Sequence, residues 1–128
     1  MNIYQKTGYL TENFRYFHLQ TTSRQEFHYH YHEFYKILFF LKGDVTYHIE
    51  GRTFHLLPGD IILIPAEEIH CPQLQSDTCY ERQILYLSST FLKSFQNSDL
   101  SLCFTNARKR QSYVMRIPSF YQKHIWDI

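Results

Sequence analysis

Between residues 35 and 87, apolar residues occur in short blocks that polar turns separate. Residues 35–41 are mostly apolar, as expected of a strand that is buried on both faces. Residues 45–49 alternate instead, with Val45, Tyr47 and Ile49 on one side, which predicts a half-buried strand. Short strands about eight to ten residues apart favour a β-sandwich or barrel. The sequence predicts strands at 35–41, 45–49, 53–57, 61–64, 70–74 and 81–87.

Glycine and proline mark the turns between these strands. The tripeptides Lys42-Gly43-Asp44 and Glu50-Gly51-Arg52 predict tight connections. Pro58-Gly59-Asp60 predicts a type II turn, because proline fixes φ at its second position and glycine accepts the positive φ at its third.

The pattern becomes helical after Leu87. The segment 88–90 offers serine and threonine as N-cap residues. Phe91, Leu92 and Phe95 then follow at the spacing of one helix face, which predicts a short helix whose apolar side contacts the core or another subunit.

The remaining C-terminal residues divide into a polar stretch and a second helical pattern. Residues 106–113 are polar and predict a loop. A helical pattern starts at Pro118 and meets no stop signal before residue 128, so we expect the helix and the protein to continue beyond it. The apolar and aromatic members of this pattern are Phe120, Tyr121, His124, Ile125 and Ile128. The predicted units are an N-terminal arm at 1–13, a barrel at 14–88 and a helical and loop extension at 89–128.

Composition and charge narrow the function classes. The formal net charge is +1, and 18% of residues are aromatic, which argues for a folded core and against a self-sufficient DNA-binding domain. The basic run 108–110 is more typical of a solvated surface than of a phosphate contact. Cys71, Cys79 and Cys103 form no C-x-x-C pair and are odd in number, which indicates a reducing cytoplasm. The longest apolar run is far shorter than the roughly 20 residues of a membrane span.

Histidines provide the candidate chemistry. His28, His30 and His32 alternate with tyrosines, and alternation on an extended chain places the three on one face. With His70 from a later strand, such imidazoles could converge on one metal ion. The ordinary alternative is surface or hydrogen-bonded histidines, because an H-x-H pair alone is a weak signal.

The spacing of these residues resembles the two sequence motifs of the cupin superfamily, a small jelly-roll barrel. The first motif is matched from His30 to Gly43, and the second from Pro58 to His70. Within cupins, several blocks resemble the sensor domain of AraC-type transcription regulators, over about residues 14 to 105. Those blocks are Tyr47-x-Ile49-Glu50-Gly51-Arg52, Leu57-Pro58-Gly59-Asp60-Ile61-x-Leu63-Ile64-Pro65, His70-x-Pro72 and Tyr80-Glu81-Arg82-x-x-Leu85-Tyr86-Leu87-Ser88-Ser89-x-Phe91-Leu92.

The resemblance implies an all-β fold, a cupin jelly-roll barrel with one or two short C-terminal helices. It also implies a domain that binds a small effector, a sugar or a small anion, and that forms a homodimer. DNA would be bound only by two helix-turn-helix units beyond residue 128, with no membrane contact. Residues 1–10 could form the arm that closes over ligand in the arabinose regulator, or a frayed terminus.

Departures from the cupin motifs bear on metal binding. Lys36 stands where metal-binding cupins carry a glutamate ligand, Glu67 replaces a glycine, and Leu74 replaces an asparagine. An ammonium repels a divalent cation, so we expect no metal and no cofactor; a bound metal would have His30, His32 and His70 alone as ligands.

The candidate ligand-binding residues are therefore His30, His32, Lys36 and His70. Lys36 has the parity of His30 and His32 and could face inward, or it could end in solvent. Tyr35 and Phe39 lie on its opposite face and predict packing.

The sequence thus predicts a cytoplasmic, non-enzymatic sensor domain. One alternative is a metal-dependent cupin enzyme, an isomerase or dioxygenase that uses the three histidines. Another is a dimerisation module without ligand.

Overall fold

The computed structural model of the chain describes residues 4–22, 26–94 and 98–118. The strands are β1 (Gln5–Lys6), β2 (Phe14–Thr21), β3 (His30–Tyr31), β4 (Tyr35–Lys42), β5 (Val45–Ile49), β6 (Arg52–His55), β7 (Ile61–Ile64), β8 (His70–Leu74), β9 (Tyr80–Leu87) and β10 (Val114–Met115). The helices are α1 (Ser89–Lys93) and α2 (Asp99–Arg110). No helix in these ranges is long and apolar enough to cross a membrane.

Two five-stranded sheets face each other across the core. Their strand orders are β1-β3-β8-β5-β6 and β10-β7-β4-β9-β2, so neighbouring strands are mostly distant in sequence. All pairings are antiparallel except β1 with β3. The predicted all-β jelly-roll barrel with short helices near its C-terminal side is confirmed.

Residue parity on β4 separates the core from the helix-covered face. Lys36, Leu38 and Phe40 are buried and point into the barrel, opposite β9 residues of the same parity. Tyr35 points the other way, and its ring lies 4.9 Å from that of Phe104 on α2. The packing role predicted for Tyr35 is confirmed.

The predicted turns have the expected backbone. Glu50 and Gly51 have φ of 47° and 78°, and positive φ at both central positions suits a two-residue hairpin. Gly59 has φ of 93°, and the Asp60 amide donates to the Leu57 carbonyl at 2.9 Å, as in a type II turn.

Glu67 adopts a conformation that favours glycine. Its φ is 70°, and it stands where the second cupin motif has a glycine. A left-handed conformation in a residue with a Cβ is strained by about 1–2 kcal/mol. The Glu67 amide donates to the carbonyl of His32 at 2.7 Å, which ties this turn to the residue that follows β3.

The helices differ from prediction in one respect. α1 is confirmed: the Ser88 side chain accepts from the Phe91 amide, and Leu92 is buried. The predicted loop at 106–113 is wrong over residues 106–110, because α2 extends through Arg110, whereas residues 111–113 have no regular structure. Phe95 and the helical pattern beyond Pro118 lie outside the described residues.

Signals for α2 are present in the sequence. Ser98 caps the helix by accepting from the Ser101 amide, and Asp99 lies in the first turn. The basic run 108–110 lies in the last turn, where cations interact favourably with the helix dipole. The polar composition of 106–110 reflects the exposed face of the last turns of this helix.

Candidate functional site

Three histidines meet inside the barrel at one end of the first sheet. His30 on β3 is directly opposite His70 on β8, and His32 follows two residues later. Their ring centroids are 4.3 Å (His30 to His70), 4.9 Å (His30 to His32) and 5.0 Å (His32 to His70) apart. One ring nitrogen from each residue lies within 4.8 Å of the others. We call these three residues the histidine cluster.

His28 does not join the cluster, although the alternating pattern predicted that it would share a face with His30 and His32. Its side chain is exposed, and it precedes β3 in a segment without regular strand pairing. Alternate residues share a face only where the chain is an extended strand, and this strand begins at His30. His28 instead contributes its backbone carbonyl to His30.

Each imidazole of the cluster is oriented by a backbone carbonyl. His30 Nδ1 donates to the carbonyl of His28 at 2.8 Å, and His70 Nδ1 to that of Glu68 at 2.8 Å. His32 Nδ1 donates to the carbonyl of Thr7 at 2.7 Å. Because a carbonyl only accepts, the proton is on Nδ1 and the lone pair is on Nε2.

Two of these lone pairs are buried and unpaired. Among the described residues, Nε2 of His32 and Nε2 of His70 have no hydrogen-bond partner. Buried polar atoms are nearly always satisfied in folded proteins, so these two nitrogens are available to accept a hydrogen bond or to bind an ion.

The cluster is electrically neutral at pH 7. Burial lowers the pKa of His30. The hydrogen bond to the His28 carbonyl opposes this effect, and the positive charge of Lys36 adds to it. Burial and then Lys36 lower the pKa of His32 to about 4. Burial also holds the pKa of His70 well below its usual range, and Lys36 adds to the effect. The three imidazoles therefore offer lone pairs and no net charge.

Lys36 enters the barrel from β4, which settles the two orientations that the sequence left open. Its side chain is 6% exposed. Nζ makes a long hydrogen bond of 3.5 Å to the Tyr47 hydroxyl. Burial, followed by the positive charge of Arg82, lowers the pKa of Lys36 to about 7. The same burial raises the pKa of Tyr47 well above its usual range.

Aromatic side chains close the space around the cluster. Phe34 stacks on His32 with centroids 4.6 Å apart, and Tyr47 stacks on His70 at 6.2 Å. Tyr86 lies 5.8 Å from His32. The site is compact, and it fits an ion or a small molecule better than a bulky one.

Two other cavities lie on the outer face of the first sheet. One of about 530 Å³ adjoins another of about 420 Å³. They share Tyr29 and His48, and neither is lined by the cluster or by Lys36. We assign the candidate site by chemistry, because unpaired buried acceptors converge in the barrel, whereas the polar groups of His48 are already paired.

The three imidazoles fit a divalent transition metal as a partial ligand set. Neutral histidine nitrogens suit Zn²⁺, Fe²⁺ and Ni²⁺, and a carbonyl on the other ring nitrogen is the usual outer support of a metal-bound histidine. His30, His32 and His70 would hold the ion, which would act as a Lewis acid toward a bound water or carboxylate. Lys36 stands where a glutamate would complete a set of four ligands, so this chain offers only the three imidazoles.

Two contributors to the site were not predicted from the sequence. Thr7 supports His32 from 25 positions away in the chain, and Tyr47 is the hydrogen-bond partner of Lys36. Their proximity arises from the barrel topology. Tyr47 has the inward parity of β5, so its placement in the core, though not its partner, follows from alternation.

Comparison with known proteins agrees with the architecture. A family model described as the AraC-like ligand binding domain matches residues 15–117. No curated protein matches the chain by sequence.

Solved cupin structures share the fold at low identity. An RmlC-like cupin protein from Methanocaldococcus jannaschii has a TM-score of 0.53 and 22% identity, covering 61% of this chain and 72% of the other. A predicted oxalate decarboxylase from Thermotoga maritima has a TM-score of 0.54 and 18% identity, covering 59% of this chain and 68% of the other. A salicylate 1,2-dioxygenase from Pseudaminobacter salicylatoxidans has a TM-score of 0.54 and 17% identity, covering 58% of this chain and 22% of the other.

These structures establish the fold, and the family model establishes the relationship, since it spans most of the chain. The chain belongs to the family of AraC-like ligand-binding domains.

Proposed function

We propose that this chain is the effector-sensing and dimerisation domain of a bacterial AraC-family transcription regulator. The family match supports this proposal, and one structural observation carries it: unpaired Nε2 atoms of His32 and His70 meet inside the barrel. The effector binds there and biases the domain between two conformations.

The donor and acceptor pattern defines the effector class. The Nε2 lone pairs accept hydrogen bonds, so they suit hydroxyl groups. The Lys36 amine donates, and when protonated it attracts an anion. A small sugar or a small hydroxylated carboxylate meets both requirements, within the limits of the compact site.

Thermal shift with named probes tests effector binding. We expect L-arabinose, D-xylose, glycolate or citrate at millimolar concentration to raise Tm by several degrees, since a ligand at about 100 times its Kd adds roughly 2.7 kcal/mol. The shift should disappear in His70→Ala and persist in His48→Ala, whose side chain lies on the outer face. A shift that survives in His70→Ala would place the effector elsewhere.

The parent regulator would bind DNA through helix-turn-helix units that follow this domain. With a net charge of +1, the domain itself should not bind duplex DNA specifically at physiological salt. Sequence-dependent retardation at submicromolar protein in a gel-shift assay would contradict the sensor assignment.

The homodimer is proposed to use the helical side of the barrel. Leu102 on α2 is 47% exposed, and Phe14 at the start of β2 is 57% exposed beside α1. Light scattering should show a dimer that Leu102→Arg weakens and that Leu57→Arg, at an exposed apolar residue outside both helices, does not. A monomer at every concentration would contradict this part of the proposal.

A metal-dependent cupin enzyme is the second candidate, and the histidine cluster favours it specifically. Solved structures of this fold include a predicted oxalate decarboxylase and a salicylate 1,2-dioxygenase, although at such low identity the likeness extends only to the fold. Turnover of oxalate or salicylate by Mn²⁺- or Fe²⁺-loaded protein, abolished in His70→Ala, would support it; loaded protein without turnover would favour the sensor.

A further inference from the structure

The two adjoining cavities on the outer face of the first sheet form one continuous groove, because Tyr29 and His48 line both of them. We call it the outer groove. Its lining residues extend from Leu74 back to Ile69, along β8 and just before it. At about 3.3 Å per residue, this stretch is roughly 17 Å long. The outer groove therefore suits an extended molecule better than a compact one.

Aromatic rings form the middle of the outer groove. Tyr29 lies between Tyr4 and His48, with its ring centroid 5.9 Å from the first and 6.1 Å from the second. Tyr29 is 45% exposed, so a ligand can reach its ring. The His48 ring is held in one orientation, since the Thr53 hydroxyl and the Gln73 side chain each bind one of its nitrogens. Fixed aromatic rings attract alkyl chains by dispersion and cations through their π-systems.

Each of the two cavities is lined by one carboxylate. Glu26 lines the first cavity and Glu50 lines the second. Within residues 4–22, 26–94 and 98–118, no lysine or arginine lines either cavity. Arg52 is close in sequence, but its guanidinium donates to the Gln111 side chain at 2.9 and 3.2 Å. The charge of the outer groove is therefore negative, although the whole chain has a net charge of +1.

Both carboxylates can pair with a ligand. Glu26 is exposed and forms no ion pair in the part of the chain that the structure describes. Glu50 is held in place by the Ile69 amide, which donates to its Oε1 at 2.7 Å. The guanidinium of Arg108 pairs with Glu68, which lines neither cavity.

We propose that the outer groove is a second ligand site and that it binds a linear organic dication of the polyamine class. One ammonium group pairs with Glu26, another pairs with Glu50, and the methylene chain between them lies across Tyr29. Carboxylates in two separate cavities select two separated positive charges, and the aromatic middle selects an apolar chain between them.

The floor of the outer groove favours a polyamine over a basic peptide. A peptide brings backbone amides that need hydrogen-bond partners. The floor strands β5 and β8 use their own backbone groups to pair with each other and with their neighbours in the sheet. A polyamine has only ammonium groups to satisfy, and the two glutamates satisfy them.

The outer groove is independent of the site inside the barrel. His48 lies opposite Cys71 in the sheet register, whereas the inward His70 lies opposite Ile49, so the sheet itself separates the two sites. The proposal therefore requires neither the effector nor a metal at the histidine cluster.

Calorimetric titration of the full chain with spermidine at low salt tests the proposal. We expect one-to-one binding, which Glu26→Gln and Glu50→Gln should each weaken about three- to tenfold, because each removes one partly exposed ion pair. Glutamine at position 50 keeps the oxygen that accepts from the Ile69 amide. Glu81→Gln is the matched control, since it makes the same change of charge on β9 in the other sheet and should leave the affinity unchanged.

The aromatic contribution has its own control. Tyr29→Ala should weaken spermidine binding at least about threefold, whereas Tyr16→Ala, at a tyrosine of similar exposure on β2, should not. Butylamine has one charge and can pair with only one glutamate, so it should bind at least about threefold more weakly than spermidine.

NMR of the histidine rings locates the ligand. Spermidine should shift the ring signals of His48 and leave those of His70 unchanged, and His70→Ala should bind spermidine as the wild type does. Shifts at His70, or loss of binding in His70→Ala, would place spermidine inside the barrel and overturn the proposal.

The remaining outcomes are equally distinct. No binding at millimolar spermidine, or equal affinity in the Glu26, Glu50 and Glu81 variants, would overturn the proposal. Displacement of spermidine by an equal concentration of Mg²⁺ would mean simple counterion attraction and would also overturn it. Binding of an arginine-rich peptide without binding of spermidine would assign the outer groove to a protein partner instead.

Discussion

His48 and His70 lie on adjacent strands of one sheet, yet their imidazoles point to opposite sides of it. In the register of β5 and β8, His48 is opposite Cys71, and Ile49 is opposite His70. This offset of one residue places His70 in the core, fully buried, and leaves His48 half-buried on the outer face.

The two residues differ in how their hydrogen bonds are satisfied. His48 has partners on both nitrogens: Nδ1 with the Thr53 hydroxyl at 3.1 Å and Nε2 with the Gln73 side chain at 2.9 Å. Within the part of the chain that the structure describes, His70 has a partner only on Nδ1. The abundance of histidine in the chain is therefore not what marks the site; the inward face and the unpaired nitrogen mark it.

Replacing His70 or His48 by alanine should show the largest difference between the two residues, and the difference is in metal affinity. His70→Ala deletes one of three donors and should lower Ni²⁺ affinity at least about 100-fold, whereas His48→Ala should leave it within about twofold. Calorimetry on tag-free protein measures both. Equal losses would mean that the outer histidine also binds metal and that the distinction between the faces is unfounded.

Lys36 and Lys42 form a second pair for comparison: Lys36 is buried in the barrel, and Lys42 is exposed. The folded-state pKa of Lys36 is lowered to about 7, so between pH 7 and 10.5 the unfolded chain binds more protons and stability rises with pH. Relative to Lys36→Met, the wild type should gain about 2 kcal/mol between pH 7 and 9. Lys42 is exposed at the end of the same strand, and Lys42→Met should remove none of this gain.

Urea unfolding at the two pH values measures the Lys36 effect. A stability difference between the wild type and Lys36→Met that does not change with pH would mean that the amine is solvated, with its side chain out of the barrel.

Acid should destabilise the protein through the interior histidines. Because the pKa of His32 is lowered to about 4, the stability it preserves is present above its unfolded pKa of about 6.5 and is lost as pH falls toward 4. The wild type should lose about 2 kcal/mol more than His32→Gln between pH 6.5 and 4.5. Denaturant titrations with His48→Gln as the control test this, and a pH dependence as large for His48 would contradict it.

Substitution of Lys36 by glutamate should have a smaller, opposite effect on metal binding. Lys36→Glu replaces a repelling group with a carboxylate and should raise Mn²⁺ or Ni²⁺ affinity at least about tenfold. We expect the unmodified protein to be purified without stoichiometric zinc, iron or manganese, by elemental analysis. Tight one-to-one binding in the wild type, unimproved by Lys36→Glu, would mean that the lysine does not face the ion.

The six strands β4 to β9 and the turns between them were predictable from local sequence, whereas β1, β2, β3 and β10 were not predicted. The block 45–49 alternates with the sheet, and Pro58-Gly59-Asp60 has the chemistry of its turn, so the information lies within a few residues. The second helix was missed because its exposed face resembles a loop in composition, although Ser98 and the basic run 108–110 mark its ends.

The site was predictable only in part. His30, His32, Lys36 and His70 follow from motif spacing, and their inward orientation follows from parity once the strands are known. The exclusion of His28 depends on where β3 begins, which two tyrosines and three histidines in alternation do not reveal.

The contribution of Thr7 could not be predicted. Its carbonyl meets His32 because a two-residue parallel strand pairs with β3, and neither strand has a pattern long enough to be recognised. Backbone groups carry no residue-type signal, so their roles emerge only from topology.

The central claim is that the three interior histidines keep their Nε2 lone pairs free and directed to one point. Long-range ¹H–¹⁵N NMR of the histidine rings at pH 7 tests this directly. The account predicts three residues with the proton on Nδ1 and a bare Nε2, whose signals all change on addition of one equivalent of Zn²⁺, while those of His48 do not. Protonated Nε2 atoms in the cluster, or a Zn²⁺ response confined to His48, would contradict it.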